Sequence, residues 1–259
     1  MKLERRGFLR LTTLGCAYCL AGSGAFGAES LATSGVARWS YEGDTGPEHW
    51  GELQPDFKAC QLGLEQTPID LSGAMRGDAG IVALDYRPLP LRIVNNGHTI
   101  QINADAGSTC AIGGTRYELQ QFHFHHPSEH LLSGRRFDLE CHFVHRSSAG
   151  DFAVVGVFIR PGEKNPVLQS IWDAMPRQEG PELRANGSID PAALLPGSTS
   201  YFRYMGSLTT PPCSEGLTWT VFRDPIEAST EQIKQFAGLF PNNARPLQGR
   251  NRRFLIEAN

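Results

Sequence analysis

Residues 121–130 read QFHFHHPSEH, and residues 139–145 read LECHFVH. Six of the chain's eight histidines fall within these two stretches. Both alternate in polarity, as expected of a strand whose side chains point in turn to opposite faces. In QFHFH, alternation puts Gln121, His123 and His125 on one face and Phe122 and Phe124 on the other, where they can enter a core. In LECHFVH, His142 shares a face with Glu140 and Val144, while Cys141 and Phe143 point the other way. If these strands are neighbours in one sheet, His123, His125 and His142 converge on one point. Three neutral imidazoles suit zinc, because they supply three corners of a tetrahedron and leave the fourth for water. An open corner marks a catalytic ion, and residues 28–259 carry no paired-thiolate motif from which to build a closed structural site. Each ligand also needs its second ring nitrogen held by a partner. Gln121 and Glu140 each lie two residues before a ligand on the same face and can do this for His123 and His142. His126, His130 and His145 read as histidines outside the ligand set.

Working outward, short segments with β-branched or aromatic content recur between Gly, Pro and Asn. They are LRIVNN (91–96), HTIQINA (98–104), YELQQFHFH (117–125), DLECHFVH (138–145), FAVVGVFIR (152–160) and GLTWTVF (216–222). Helical pattern is sparse. It covers 165–175 and 229–240, the latter opening on Ser229-Thr230-Glu231-Gln232, a capping signature. The expectation is a mainly β, single-domain protein with few helices.

The length of 259 residues suits one large domain, and 28 glycines with 17 prolines suit a turn-rich globular chain. A formal net charge of −3 calls for no nucleic-acid partner. No phosphate-cradling glycine loop and no dinucleotide fingerprint is present. The first 27 residues differ in kind. Arg5-Arg6 precede an uncharged stretch from Leu11 that ends in small residues, which reads as an export signal of the twin-arginine type. A retained membrane anchor would need about 20 predominantly apolar residues, and this segment is Gly-rich. Removing 1–27 takes away four positive charges and one negative and leaves −6, which predicts no stable membrane association after processing. Residues 28–259 form the expected domain. An exported location, periplasmic in a bacterium, permits disulfides. Cys60, Cys110, Cys141 and Cys213 then remain, with three possible full pairings. Cys141 lies in an apolar strand, where a buried thiol is the usual occupant. Cys60 and Cys213, in Pro/Gly-flanked segments, make the better pair.

These features sit inside an ordered set of blocks: GPEHWGEL (46–53), QTPID (66–70), NNGH (95–98), QFHFHHPSEH (121–130), ECHFVH (140–145), FAVVGVF (152–158), GSLTTPPCSEGLTW (206–219) and RPLQGRNRR (245–253). Over about Trp39 to Arg253 the chain resembles the α-class carbonic anhydrases of the exported bacterial type. The resemblance implies a ten-stranded, mostly antiparallel twisted central sheet with short peripheral helices and one zinc ion per chain. It implies reversible hydration of carbon dioxide to bicarbonate and a proton, by zinc-hydroxide attack with a histidine proton shuttle. His123, His125 and His142 match the zinc ligands; Gln121, Glu140 and the Asn243 carbonyl match their supports.

Thr209 matches the family's gatekeeper, with Glu129 as its proton acceptor, and His98 matches the shuttle. An ordinary histidine pKa near 6.5 suits that task. Tyr41, Asn96 and Gln101 match positions that hold a water chain. Val144, Val154, Leu208 and Trp219 match the apolar wall that faces carbon dioxide. Cys60 and Cys213 match the disulfide of exported members. The resemblance further implies inhibition by sulfonamides and anions and a side esterase activity; it leaves monomer and dimer equally open. His126-Pro127 stand where animal members carry Trp-Gly. Two rival readings are weaker. A non-catalytic binding module of this fold would lack a ligand histidine, and a generic zinc hydrolase would need a polar group where this chain has an apolar wall.

Overall fold

The strands follow from side chains that must be buried on a pleated surface. The computed structural model describes residues 37–259, so the expected export signal lies outside the described residues. The strands are β1 (Met75–Arg76), β2 (Val82–Asp85), β3 (Leu89–Asn95), β4 (Ile100–Asn103), β5 (Thr109–Ile112), β6 (Thr115–His125) and β7 (Leu139–Ser147). They continue as β8 (Phe152–Pro161), β9 (Leu183–Ile189), β10 (Tyr201–Ser207), β11 (Glu215–Phe222), β12 (Ile226–Ala228) and β13 (Ile256–Ala258). All thirteen join one sheet, whose main path of ten runs β1-β13-β10-β11-β8-β7-β6-β4-β3-β9. Strands β2, β5 and β12 attach beside that path. Most neighbours are antiparallel; β1 with β13 and β8 with both β11 and β12 are parallel. This is the mainly β, single-domain architecture expected. The helices are short: α1 (Trp50–Leu53), α2 (Ala59–Leu62), α3 (Pro166–Ala174) and α4 (Thr230–Ala237). None in the described residues is long and apolar enough to cross a membrane.

The central strands are buried on both faces. On one, Phe122, Phe124, Cys141, Phe143, Val155 and Val157 form the main core. Helices α3 and α4 close over it, with Trp172 packed 4.8 Å from Phe124 and 5.2 Å from Phe236 between ring centres. Each large side chain withdrawn from water in this way contributes about 1.5–3 kcal/mol. Both helices start where the sequence caps them. The Asn165 side chain accepts the N–H groups of Val167 and Leu168, and Ser229 with Gln232 forms a reciprocal capping box.

A bulge between Leu119 and Gln121 is the one irregularity that matters for the site. It inserts a residue and so switches parity. Leu119 can thereby share the core face with Phe122 and Phe124, while Gln121, His123 and His125 keep the opposite face. His123 then stands directly across from His142, and His125 from Glu140. Beyond Glu140 and His142 lies β8, where Gly156 pairs with His142; a Cβ there would sit 3.1 Å from Glu140 Oε1. Glycine gives the carboxylate its room.

Cys60 and Cys213 form the disulfide that the resemblance implied, across 153 residues of sequence. It ties α2 to the loop after β10. Cys110 and Cys141 are free and buried, and burial pushes the Cys110 thiol up to about 12. Reduction of the Cys60–Cys213 bond should cost about 2–5 kcal/mol of stability, read as a lower denaturation midpoint. An unchanged midpoint after complete reduction would contradict this bracing role.

His145 lies on the core side of β7, its Nε2 against the Tyr86 hydroxyl at 2.8 Å and its Nδ1 toward the Ala153 carbonyl at 3.3 Å. Burial pushes its pKa down to about 4. The unfolded chain therefore takes up a proton near pH 6.5 that the native protein refuses, so stability falls as pH drops from about 6.5 to about 4. In His145→Gln this acid loss should be shallower by up to about 3 kcal/mol. Denaturant midpoints measured across that pH window check it, and parallel profiles would refute it.

Candidate active site

Strands β6 and β7 bring three imidazoles together. Ring centres lie 5.0 Å apart for His123 and His125, 5.4 Å for His123 and His142, and 4.5 Å for His125 and His142. One nitrogen from each falls within 4.8 Å of the other two. The outer nitrogens are all engaged. His123 Nδ1–H donates to Gln121 Oε1 at 2.8 Å, His125 Nδ1–H to the Asn243 carbonyl at 2.8 Å, and His142 Nε2–H to Glu140 Oε1 at 2.9 Å. These bonds select the tautomers and aim the lone pairs of His123 Nε2, His125 Nε2 and His142 Nδ1 inward. His125 Nε2 is buried and has no hydrogen-bond partner among the described residues.

Electrostatics keep this donor set neutral. Burial pulls His123 well below the ordinary histidine range, aided by His125 and His142. Burial likewise takes His125 down to about 4 and lowers His142, the latter against the opposing pull of Glu140. Neutral imidazoles with bare inward nitrogens are the form that binds a metal. The buried orphan nitrogen and the neutral, converging donors fit a divalent cation such as zinc.

Glu140 anchors the arrangement. Burial alone would raise its pKa, but His130 and His142 outweigh that and hold it well below the carboxylate range. Its Oε2 accepts the backbone N–H groups of Glu129 and His130 at 2.9 Å each, and its Oε1 accepts from His130 Nδ1 at 2.7 Å as well as from His142. His130 continues through Nε2 to the Tyr204 hydroxyl at 2.6 Å. His130 is thus outside the triad and braces its support; His126 turns away to the Pro241 carbonyl.

Glu129 is fully buried. Its Oε1 accepts the Arg245 backbone N–H at 2.8 Å, while Oε2 has no hydrogen-bond partner among the described residues. That oxygen lies 3.6 Å from His125 Nε2 and 3.8 Å from His142 Nδ1. Burial raises Glu129 to about 7, against the lowering influence of His142, the Arg245 N–H and the Thr209 hydroxyl. Thr209 is buried in the loop that Cys213 braces. Arg245, which sequence reading did not single out, is a buried cation whose guanidinium donates to the carbonyls of Thr67 and Cys60 at 2.8 and 2.9 Å. Its signal was present only as an arginine beside a proline in a loop.

His98 sits at the turn between β3 and β4, half-buried. Gly97, at φ +84°, makes the turn, and the Asn96 side chain accepts the His98 and Thr99 N–H groups. The His98 ring stacks on Trp39 at 3.6 Å between centres and 8° between planes, with Tyr41 edge-on at 6.4 Å. Asn96 also reaches Gln101 at 3.4 Å. Burial lowers the His98 pKa, and Glu179 and Arg38 act in opposite senses. Trp39 marked only the start of the family resemblance in the sequence, so its stacking role went unread.

Apolar side chains cluster beside the triad. Val144, Val154 and Trp219 belong to one buried cluster against which Leu208 packs, and the Trp219 ring lies 4.9 Å from His142. Trp219 Nε1–H donates to the Ser207 carbonyl at 2.9 Å, which fixes the indole.

Comparison with known proteins finds relatives over most of the chain. The family described as eukaryotic-type carbonic anhydrase matches residues 45–257. A carbonic anhydrase of Nostoc sp. is 48% identical over 235 residues, covering 88% of this chain and 89% of that protein. One of Pectobacterium atrosepticum is 40% identical over 228 residues, covering 88% and 93%. Among solved structures, the α-carbonic anhydrase of Thermovibrio ammonificans in complex with the inhibitor sulfanilamide superposes with a TM-score of 0.84 at 42% identity, covering 86% of this chain and 100% of that one. Likeness of this extent, in sequence and in fold together, places the chain in the eukaryotic-type, or α-class, carbonic anhydrase family.

Proposed function

We propose that the chain catalyses the reversible hydration of carbon dioxide to bicarbonate and a proton, with zinc held by His123, His125 and His142. The observation that carries this reading is the convergence of three neutral imidazole lone pairs, each fixed from behind, beside an apolar wall. Bound there, zinc would act as a Lewis acid that makes water nucleophilic at neutral pH. The protein's own groups do the rest. Gln121, Glu140 and the Asn243 carbonyl hold the ligand tautomers. Thr209 and Glu129 orient the nucleophilic oxygen, the Thr209 O–H donating a hydrogen bond to the buried carboxylate so that its own oxygen is left to accept one. Val144, Val154, Leu208 and Trp219 offer carbon dioxide a surface with no competing hydrogen-bond donor. His98 takes the surplus proton and releases it to buffer, with Tyr41, Asn96 and Gln101 holding the intervening solvent. Ester hydrolysis at the same centre is a side activity, and sulfonamides and small anions inhibit by competing for the metal. Bacterial relatives and the disulfide support function after export, in an oxidising compartment such as the periplasm.

His142→Ala should remove zinc and activity together. Metal analysis of the purified variant is expected to fall from about one zinc per chain to none. Turnover at the wild-type level would reject the ligand assignment.

His98→Ala should slow turnover on the order of tenfold to 100-fold in dilute buffer while leaving zinc content intact, and added imidazole should restore part of the loss. Rates that are insensitive to buffer in both proteins would remove His98 from the proton path.

A further inference from the structure

The face of the sheet opposite the histidines carries a charge that no described residue balances. Arg203 of β10 stands directly across from Thr220 of β11. Opposed residues on one sheet face have Cβ atoms about 4.5–5.5 Å apart, so the two side chains leave the sheet side by side. Arg203 is mostly withdrawn from water, its guanidinium lying over the Tyr201 ring at 5.2 Å. Its Nε and Nη2 are buried and have no hydrogen-bond partner among the described residues. Thr220 is fully buried, and its hydroxyl is likewise unpartnered among the described residues. Cys110 and Tyr117, on the adjoining hairpin and strand, and Tyr201 are the groups that act on the guanidinium; burial lowers its pKa and these three raise it, and no carboxylate is among them.

The orphaned pair is chemically specific. Nε and Nη2 are the two donors on one edge of a guanidinium, the fork that matches two oxygens of a planar anion. The same protein uses that edge elsewhere: Arg92 grips the two carboxylate oxygens of Glu182 through Nε at 2.8 Å and Nη2 at 3.0 Å. A buried donor without a partner costs about 1–3 kcal/mol, more for a charged group, and these two opposed residues carry three.

We propose that Arg203 and Thr220 form a binding site for one small planar oxyanion, of the carboxylate or bicarbonate type, separate from the metal centre. The Arg203 fork takes two oxygens of the anion, the Thr220 hydroxyl donates a third hydrogen bond, and the Tyr201 ring floors the guanidinium. Chloride, with no second oxygen to fill the fork, binds less well.

The test reads Arg203 itself. In ¹⁵N-labelled zinc-loaded enzyme near pH 6, the Arg203 Nε–H resonance is assigned by its loss in Arg203→Lys and followed as sodium formate is added at constant ionic strength. The expected result is a saturable movement at millimolar formate, and at severalfold higher concentration with chloride. Thr220→Val should raise the formate midpoint severalfold, and Thr220→Ser, which keeps the hydroxyl, should restore the wild-type midpoint. A resonance that does not move with formate would overturn the site. So would equal responses to formate and chloride, or an unchanged midpoint in Thr220→Val.

Discussion

The buried carboxylate of Glu140 is the constraint on which the site depends. Taking a charge out of water costs several kcal/mol unless it is paired and fully hydrogen-bonded. Here four donors meet it, two from backbone and two from imidazoles, each charge-assisted bond contributing about 1.5–3 kcal/mol. One of those bonds sets the tautomer of His142. Another two fix the backbone at Glu129 and His130, so the second buried acid is held in place by the first. The absence of a side chain at Gly156 lets the carboxylate sit against β8. The aim of His142 Nδ1, one of the three converging nitrogens, is therefore set by a charge behind its ring.

The sheet acts as a partition. Its two central strands, β7 and β8, are covered on both sides, by a hydrocarbon core under α3 and α4 and by the histidine face with its apolar wall. A site built on such strands has little freedom to relax, which suits chemistry that needs its donors prealigned. The parts outside the strands, the turn carrying His98 and the loop carrying Thr209, are tied in separately. Trp39 stacks on the former, and the disulfide closes the latter.

Local pattern was readable where contrast existed along the chain. QFHFH and LECHFVH declare their faces because polar and apolar residues alternate, and convergence of the three histidines needed only that the two strands be neighbours. Helices α3 and α4 were readable as helical pattern, and α4 also from its cap. Strand β10 escaped because aromatic residues occupy both its faces, Tyr201 on one and Phe202 and Tyr204 on the other. Strands β1, β12 and β13 have two or three residues and carry no period. The bulge at Leu119–Gln121 has no signature in composition. Glu129, Thr209 and His98 were reached only through the family resemblance, because their surroundings come from distant segments: the N–H that holds Glu129 belongs to Arg245, 116 residues on. Arg245 and the His130–Tyr204 bond were missed for the same reason.

Asn243 gathers four long-range hydrogen bonds into one side chain and its carbonyl. Its amide donates to the carbonyls of His98 and Phe124 and accepts the His126 N–H, while its own carbonyl receives His125. The residue stands near the C-terminal end, more than 115 positions after the histidine it orients. A nascent chain that has emerged only as far as β11 already contains every imidazole of the triad, yet one of them lacks its holder. The brace on that imidazole thus arrives late in synthesis, when the segment after α4 has emerged.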